Sequence, residues 1–225
     1  MTSGVDGAVH GPIHRLGPEW VVGPDGVRFR HAARVILLDA RDRVLLLHGC
    51  DVDQRARSWW FTVGGGIDPG ETSRDAAVRE LFEETGISLE PSALVGPVYT
   101  RSAVFDFFRE SCRQDEVFYL GRYDGPAGAG PVPDGEAQAS GDAGLSSDAG
   151  LSRDSGLSSD AGLSSDAGLS RDGWTQIEVD TIDELRWWDL EELAAVEEEI
   201  FPRLLPELVR ALLRGWDGVT RDLDA

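Results

Sequence analysis

The fold is decided by residues 58–87, which read SWWFTVGGGIDPGETSRDAAVRELFEETGI. The aromatic and β-branched run 58–63 predicts a strand that ends at the three glycines after it. Thr72 or Ser73 can cap a following helix, and Gly86 is placed to end it. This stretch therefore predicts one strand and one helix, joined by a glycine-rich turn.

The predicted helix places three carboxylates together. At about 100° per residue, Glu80, Glu83 and Glu84 fall on one face, and we expect that face to lie outside the core. The apolar residues of the other side are expected to pack on a sheet: Ala77, Val78, Leu81 and Phe82. Carboxylates at this spacing repel one another, so the cluster favours a bound cation, although a solvated acidic face is the ordinary alternative.

The spacing of these residues resembles a known motif. Gly65, five residues, Glu71, seven residues and then Arg-Glu-Leu-Phe-Glu-Glu-Thr-Gly-Ile at 79–87 match the box of the Nudix hydrolase family, whose members include MutT-like proteins. The box spans residues 65–87. The resemblance implies an α/β fold, the Nudix α/β/α sandwich with a mixed sheet. It also implies hydrolysis of a phosphoanhydride bond in a nucleoside diphosphate linked to another moiety.

Site residues follow from the same resemblance. It implies that the Gly65 carbonyl and the side chains of Glu80, Glu83 and Glu84 bind Mg²⁺ or Mn²⁺, the hard cations that carboxylate oxygens suit. Arg79 would orient these carboxylates, since it precedes Glu83 by one helical turn. Two further residues of the box are expected to be structural: Glu71, bracing the loop against the helix, and Gly86.

The general base and the substrate contacts stay open at this level. Glu83 or Glu80 in the box, or Glu116 at the head of a later strand, are the candidate bases. Arg101, Arg113 and Glu116 are candidate substrate-binding residues. The sequence does not choose among oxidised nucleoside triphosphates, ADP-ribose and other nucleotide sugars, dinucleotides and coenzyme A.

Outside the motif, the hydrophobic periodicity and the composition of the sequence divide the chain into structured and low-complexity segments. Runs 32–39 and 43–48 predict a hairpin, and runs 94–100, 103–109 and 116–122 predict three more strands, the last one central. Residues 142–171 are five near copies of a hexapeptide. We therefore expect a flexible tail at 1–18, one domain formed by 19–123 and 174–215, a low-complexity disordered insertion at 124–173, and a tail at 216–225. Within 174–215, a strand at 184–188, a helix from Leu190 and an amphipathic stretch at 204–213 are expected.

Charge and composition limit the partners. The net charge is -20, and all 21 basic residues are arginine. Such a balance argues against nucleic acid or an anionic membrane as partner and favours a small nucleotide substrate. Two cysteines and no leader-like start indicate a cytoplasmic protein, and a homodimer is left open. The alternatives are a Nudix-fold nucleotide-sensing regulator, or an interaction protein without turnover.

Overall fold

A mixed β-sheet forms the centre of the computed structural model, which describes residues 17, 19–51, 54–107, 110–125, 169, 173–174 and 176–224. Nine strands lie in this part of the chain: β1 (Val21–Val22), β2 (Arg28–Asp39), β3 (Val44–Cys50), β4 (Ser58–Gly66), β5 (Val95–Phe107), β6 (Glu110–Tyr123), β7 (Ile182–Trp188), β8 (Glu199–Phe201) and β9 (Arg221–Asp222). The order across the sheet is β7-β3-β4-β2-β6-β5-β9, while β1 pairs with β2 and β8 with β4. Parallel pairing joins β2 to β6, β4 to β8 and β5 to β9, and the other pairs are antiparallel.

Helices cover both faces of the sheet: α1 (Ser73–Thr85), α2 (Gln176–Thr181), α3 (Leu190–Ala194) and α4 (Leu205–Leu213). Val35 and Leu37 of β2 share a buried cluster with Leu81 of α1. Ile36, from the same strand, packs with Val209 of α4 in a second cluster. Successive side chains of a strand point to opposite faces, so a strand buried on both sides reads as a continuous apolar run. The α/β class, the mixed sheet and the two-sided packing agree with the prediction.

Most predicted elements are present, but their connections differ. The hairpin of β2 and β3 pairs directly only at Leu38 and Val44, because β4 lies between these strands over most of their length. The strand expected to end before the glycines continues through Gly66. The runs 94–100 and 103–109 were predicted to be two strands, and the structure has one continuous strand, β5. The polar residues between the two runs suggested a break, whereas pairing with β6 continues through Arg101 and Ser102.

The last residues are part of the sheet, which corrects the expected tail at 216–225. β9 pairs in parallel with Tyr99 and Thr100 of β5, and Trp216 and Leu223 pack against the second apolar cluster. Two apolar side chains thus anchor a segment whose composition looks polar. Helix α2 was not predicted at all. The helix from Leu190 is confirmed, with Asp189 as its cap.

The expectation of disorder at 124–173 falls mainly outside the described residues. At its end, Leu169 is partly buried against the first apolar cluster, and the indole Nε1 of Trp174 donates to the backbone carbonyl of Glu84 at 2.8 Å. The chain therefore re-enters the domain at the carboxyl end of α1. None of the helices in the described part is long and apolar enough to cross a membrane.

Candidate metal centre and adjoining basic cavity

The end of β4 and the start of α1 build the first part of the site. Gly64 has a φ of +129°, and a side chain there would collide with the Ala33 carbonyl of β2. Thr72 caps α1 by accepting from the Asp75 N–H at 3.2 Å, and Gly86 ends the helix in the left-handed conformation. The predicted caps are confirmed, with Thr72 rather than Ser73 at the amino end.

Arg79 connects the loop to the helix. Its guanidinium donates to both carboxylate oxygens of Glu71, each at 3.0 Å, and to the Gly66 carbonyl at 2.9 Å. The same side chain also donates to Glu80 at 2.8 Å and to Glu83 at 2.9 Å. These bonds lower the pKa of Glu71. The geometry expected for Arg79, Glu71 and Glu83 is thus present, with Arg79 as the link between the other two.

Three carboxylates meet beside this network. Oxygens of Glu80, Glu84 and Glu178 lie within 4.8 Å of one another. A β-carbon on Gly65 would lie 2.5 Å from the Glu80 carboxylate, so only a glycine lets the strand approach this closely. Oxygen donors crowded in this way suit a hard divalent cation. The residues present therefore fit the implied metal.

The acidic face is less exposed than the helical pattern indicated. Glu80 and Glu84 are buried, and Glu84 accepts the Gly64 N–H at 2.7 Å. Burial raises the pKa of both carboxyl groups, and mutual repulsion adds to the shift for Glu84. Phe82, expected to pack on the sheet, is instead 57% exposed. The face of α1 that packs against β4 is the one that carries Glu80 and Glu84, and Phe82 points away from it.

Glu178 is a candidate ligand that sequence reasoning missed. It lies on α2, beyond the hexapeptide tract and outside any recognisable motif. No spacing in the sequence links residue 178 to residues 80 and 84. The contact arises because Trp174 docks on the end of α1 and α2 then lies alongside the site.

Glu116 belongs to a neighbouring part of the same cleft. It is buried in β6, where Arg34 donates to it at 3.0 Å and Arg101 forms a second ion pair. Burial alone would raise the pKa of Glu116, but the two arginines hold it below its ordinary value. Of the other predicted substrate contacts, Arg101 lines a cavity of about 470 Å³. A second, adjoining cavity is lined by the carboxylates of α1 and α2. Arg113 lines neither of these two cavities and pairs with Asp25.

Fold and site together define an α/β/α sandwich in which a glycine-rich strand end and two helices, α1 and α2, bring together three carboxylates that could hold a metal ion. The family model described as the NUDIX domain matches residues 28–140, half of the chain. The chain belongs to the Nudix family.

Individual relatives are similar over a shorter range. A putative 8-oxo-dGTP diphosphatase of Bacillus subtilis (strain 168) is 41% identical over 73 residues, which cover 32% of this chain and 45% of the relative. An RNA pyrophosphohydrolase of Erythrobacter litoralis (strain HTCC2594) is 41% identical over 66 residues, which cover 29% of this chain and 39% of the relative. This chain thus spans less than half the length of these curated relatives. Among solved structures, the MutT protein from Methanosarcina mazei Go1 aligns with 16% identity and a TM-score of 0.44, over 83% of this chain and 94% of that one.

Proposed function

We propose that this protein is a metal-dependent pyrophosphohydrolase that cleaves a nucleoside diphosphate linked to another moiety. The observation that carries the proposal is the group of carboxylate oxygens from Glu80, Glu84 and Glu178 within 4.8 Å, set against Gly65. The names of two relatives, a putative 8-oxo-dGTP diphosphatase and an RNA pyrophosphohydrolase, support the same reaction class.

Mg²⁺ or Mn²⁺ would be held by Glu80, Glu84 and Glu178, together with Glu83 and the Gly65 carbonyl. When bound, the cation neutralises the diphosphate and makes a water nucleophilic at neutral pH. Arg79 keeps Glu80 and Glu83 in place through its bonds at 2.8 and 2.9 Å, while Glu71 fixes the guanidinium from the opposite side. The network therefore preorganises the ligands before substrate arrives.

We place the general base at Glu83. Its side chain is 42% exposed, and it lines the same cavity as Glu80 and Glu84. Glu116 is less suited to accept a proton, because both of its oxygens already accept from arginines and these bonds lower its pKa. We assign Glu116 instead to positioning Arg34 and Arg101 in the substrate cavity. Glu80, the remaining candidate, is buried and is assigned to metal binding.

The substrate is proposed to be a small nucleotide in the cytoplasm. A chain with a net charge of -20 repels a long polyanion, so even an RNA 5′ end is disfavoured, although relatives include RNA pyrophosphohydrolases. The cleft beside the carboxylates is nevertheless locally basic.

The test is a screen of nucleoside diphosphate derivatives and a 5′-triphosphorylated RNA with Mg²⁺ and Mn²⁺. Both products are identified, and ¹⁸O-labelled water shows which phosphorus is attacked. We expect turnover of a small nucleotide that EDTA abolishes, with one ¹⁸O in one phosphate product. Absence of turnover on every compound, or turnover undiminished by EDTA, would refute the proposal. Binding without turnover would point to a nucleotide sensor.

A further inference from the structure

Arginine–aromatic pairs surround the cavity next to the carboxylates. In four places a guanidinium lies over a ring, with distances to the ring centroid of 4.7 to 5.8 Å: Arg30 over Trp20, Arg34 over Phe61, Arg57 over Trp59, and Arg101 over Phe201. All eight residues line the same cavity. Flat rings beside cations are suited to nucleobases and phosphates.

Most of these guanidinium groups already have an anionic partner inside the protein. Arg30 pairs with Glu19 at 3.2 Å, and Arg34 and Arg101 share the buried Glu116. Arg57 differs, since within the described residues no carboxylate forms an ion pair with its guanidinium, and its side-chain contact there is the Trp59 ring at 5.7 Å. Among the four arginines of these pairs, Arg57 is therefore the one whose charge is available to bind an anionic ligand.

The cavity adjoins the candidate metal centre. Trp59, Arg30 and Arg34 line both this cavity and the one that contains the carboxylates. Five arginines face two glutamates in the lining, an excess of three positive charges in a chain whose net charge is -20. If the diphosphate of a substrate lies at the carboxylates, the rest of the substrate would thus extend past Trp59 into this cavity, where the electrostatic potential is positive.

We infer that this further part carries phosphate: the Arg57–Trp59 pair selects nucleotides with three or more phosphates, either nucleoside triphosphates or dinucleoside polyphosphates. Nucleoside diphosphates linked to an uncharged sugar are discriminated against. The inference rests on the proposed hydrolase function and deepens it. The selecting contact is a charge-assisted bond from Arg57 to a phosphate oxygen, next to a planar group on the indole of Trp59.

The experiment compares kcat/KM for ATP, diadenosine tetraphosphate and ADP-ribose with Mn²⁺. The variants are Arg57→Gln, Arg57→Lys and the matched control Arg55→Gln, which removes an exposed arginine two residues away that does not line the cavity. We expect Arg57→Gln to lower kcat/KM about tenfold for at least one polyphosphate and less than twofold for ADP-ribose. Arg57→Lys should recover most of the loss, and Arg55→Gln should change neither value.

ADP-ribose and the control variant Arg55→Gln show whether the inference fails. Equal losses on the polyphosphates and ADP-ribose, no loss at all, or the same loss in Arg55→Gln would overturn the inference while leaving the hydrolase proposal standing. A wild-type protein that hydrolyses none of the three and no other diphosphate derivative would instead refute the proposed function itself. The two polyphosphates show which source of the extra phosphate the cavity accepts.

Discussion

Replacing Glu84 by glutamine should make the metal-free protein more stable while abolishing its metal response. Glu84 is buried, and its carboxylate lies within 4.8 Å of oxygens from both Glu80 and Glu178. Two unit charges at that separation repel by about 3.5 kcal/mol at an effective dielectric constant near 20. Part of this repulsion is offset, because Arg34 acts favourably on Glu84 and because burial raises the pKa of its carboxyl group.

Glutamine keeps the size of the side chain and an oxygen that can accept the Gly64 N–H. We therefore expect Glu84→Gln in EDTA to gain about 1–2 kcal/mol in the free energy of unfolding, since only part of the repulsion is relieved. For a chain of this size that gain raises Tm by about 2–8 °C. Turnover should fall by more than tenfold, equivalent to about 1.4 kcal/mol or more of barrier.

The assay is urea unfolding, with and without Mn²⁺, on wild type, Glu84→Gln and the control Glu184→Gln, an exposed glutamate of β7. Mn²⁺ at a hundred times its Kd should stabilise wild type and the control by about 2.7 kcal/mol, and Glu84→Gln far less. If Glu84→Gln were less stable than wild type in EDTA, or gained equally from Mn²⁺, the carboxylate group would not be a strained metal centre.

Three further outcomes are expected. Glu83→Gln should lose more than tenfold in turnover with unchanged Tm, because its side chain is half exposed; retention of activity in a kinetic assay would exclude it as base or essential ligand. Glu116→Gln should lose about 3 kcal/mol at pH 7, since it leaves two arginines without their carboxylate. The pKa of Glu116 is lowered in the folded protein, so the stability that its carboxylate contributes is present above about pH 4.5 and is lost as the pH falls through the folded pKa. Urea unfolding curves of Glu116→Gln and wild type should therefore converge in acid. A difference in stability that stays constant with pH would contradict this. Deleting residues 142–165 should change the free energy of unfolding by about 1 kcal/mol or less. Extending the deletion through Leu169 should cost about 1–2 kcal/mol more, because the Leu169 side chain packs on the core. Equal stability of the two deletion variants in urea would show that Leu169 does not stabilise the fold.

The local elements of this protein were determined by sequence. A strand followed by glycines, a capped helix and carboxylates one turn apart depend on propensities and periods that act within a few residues. For that reason Thr72, Gly86 and the Arg79–Glu83 contact are where the pattern puts them. The spacing of the box also identified the family, because each of its residues meets a local requirement of the turn or the helix and these requirements follow one another along the chain.

The length and neighbours of the strands were decided by pairing. β5 continues through residues that read as a break, because β6 supplies pairing partners without interruption from Tyr99 to Phe107. β4 lies between β2 and β3, although the chain presents those two strands as a simple hairpin. Such choices depend on which edges are available in three dimensions, and local propensity does not encode them.

Only the tertiary structure decided how the site is completed. Glu178 reaches the carboxylates from α2 because Trp174 docks on α1, and Arg57 faces a cavity that five separate strands line. Burial also changed the character of Glu84, which the helical period had placed on a face outside the core. A linear pattern gives the direction of a side chain around its own helix. What lies opposite that side chain, and whether water reaches it, depends on segments that are distant in sequence and packed together only in the folded chain.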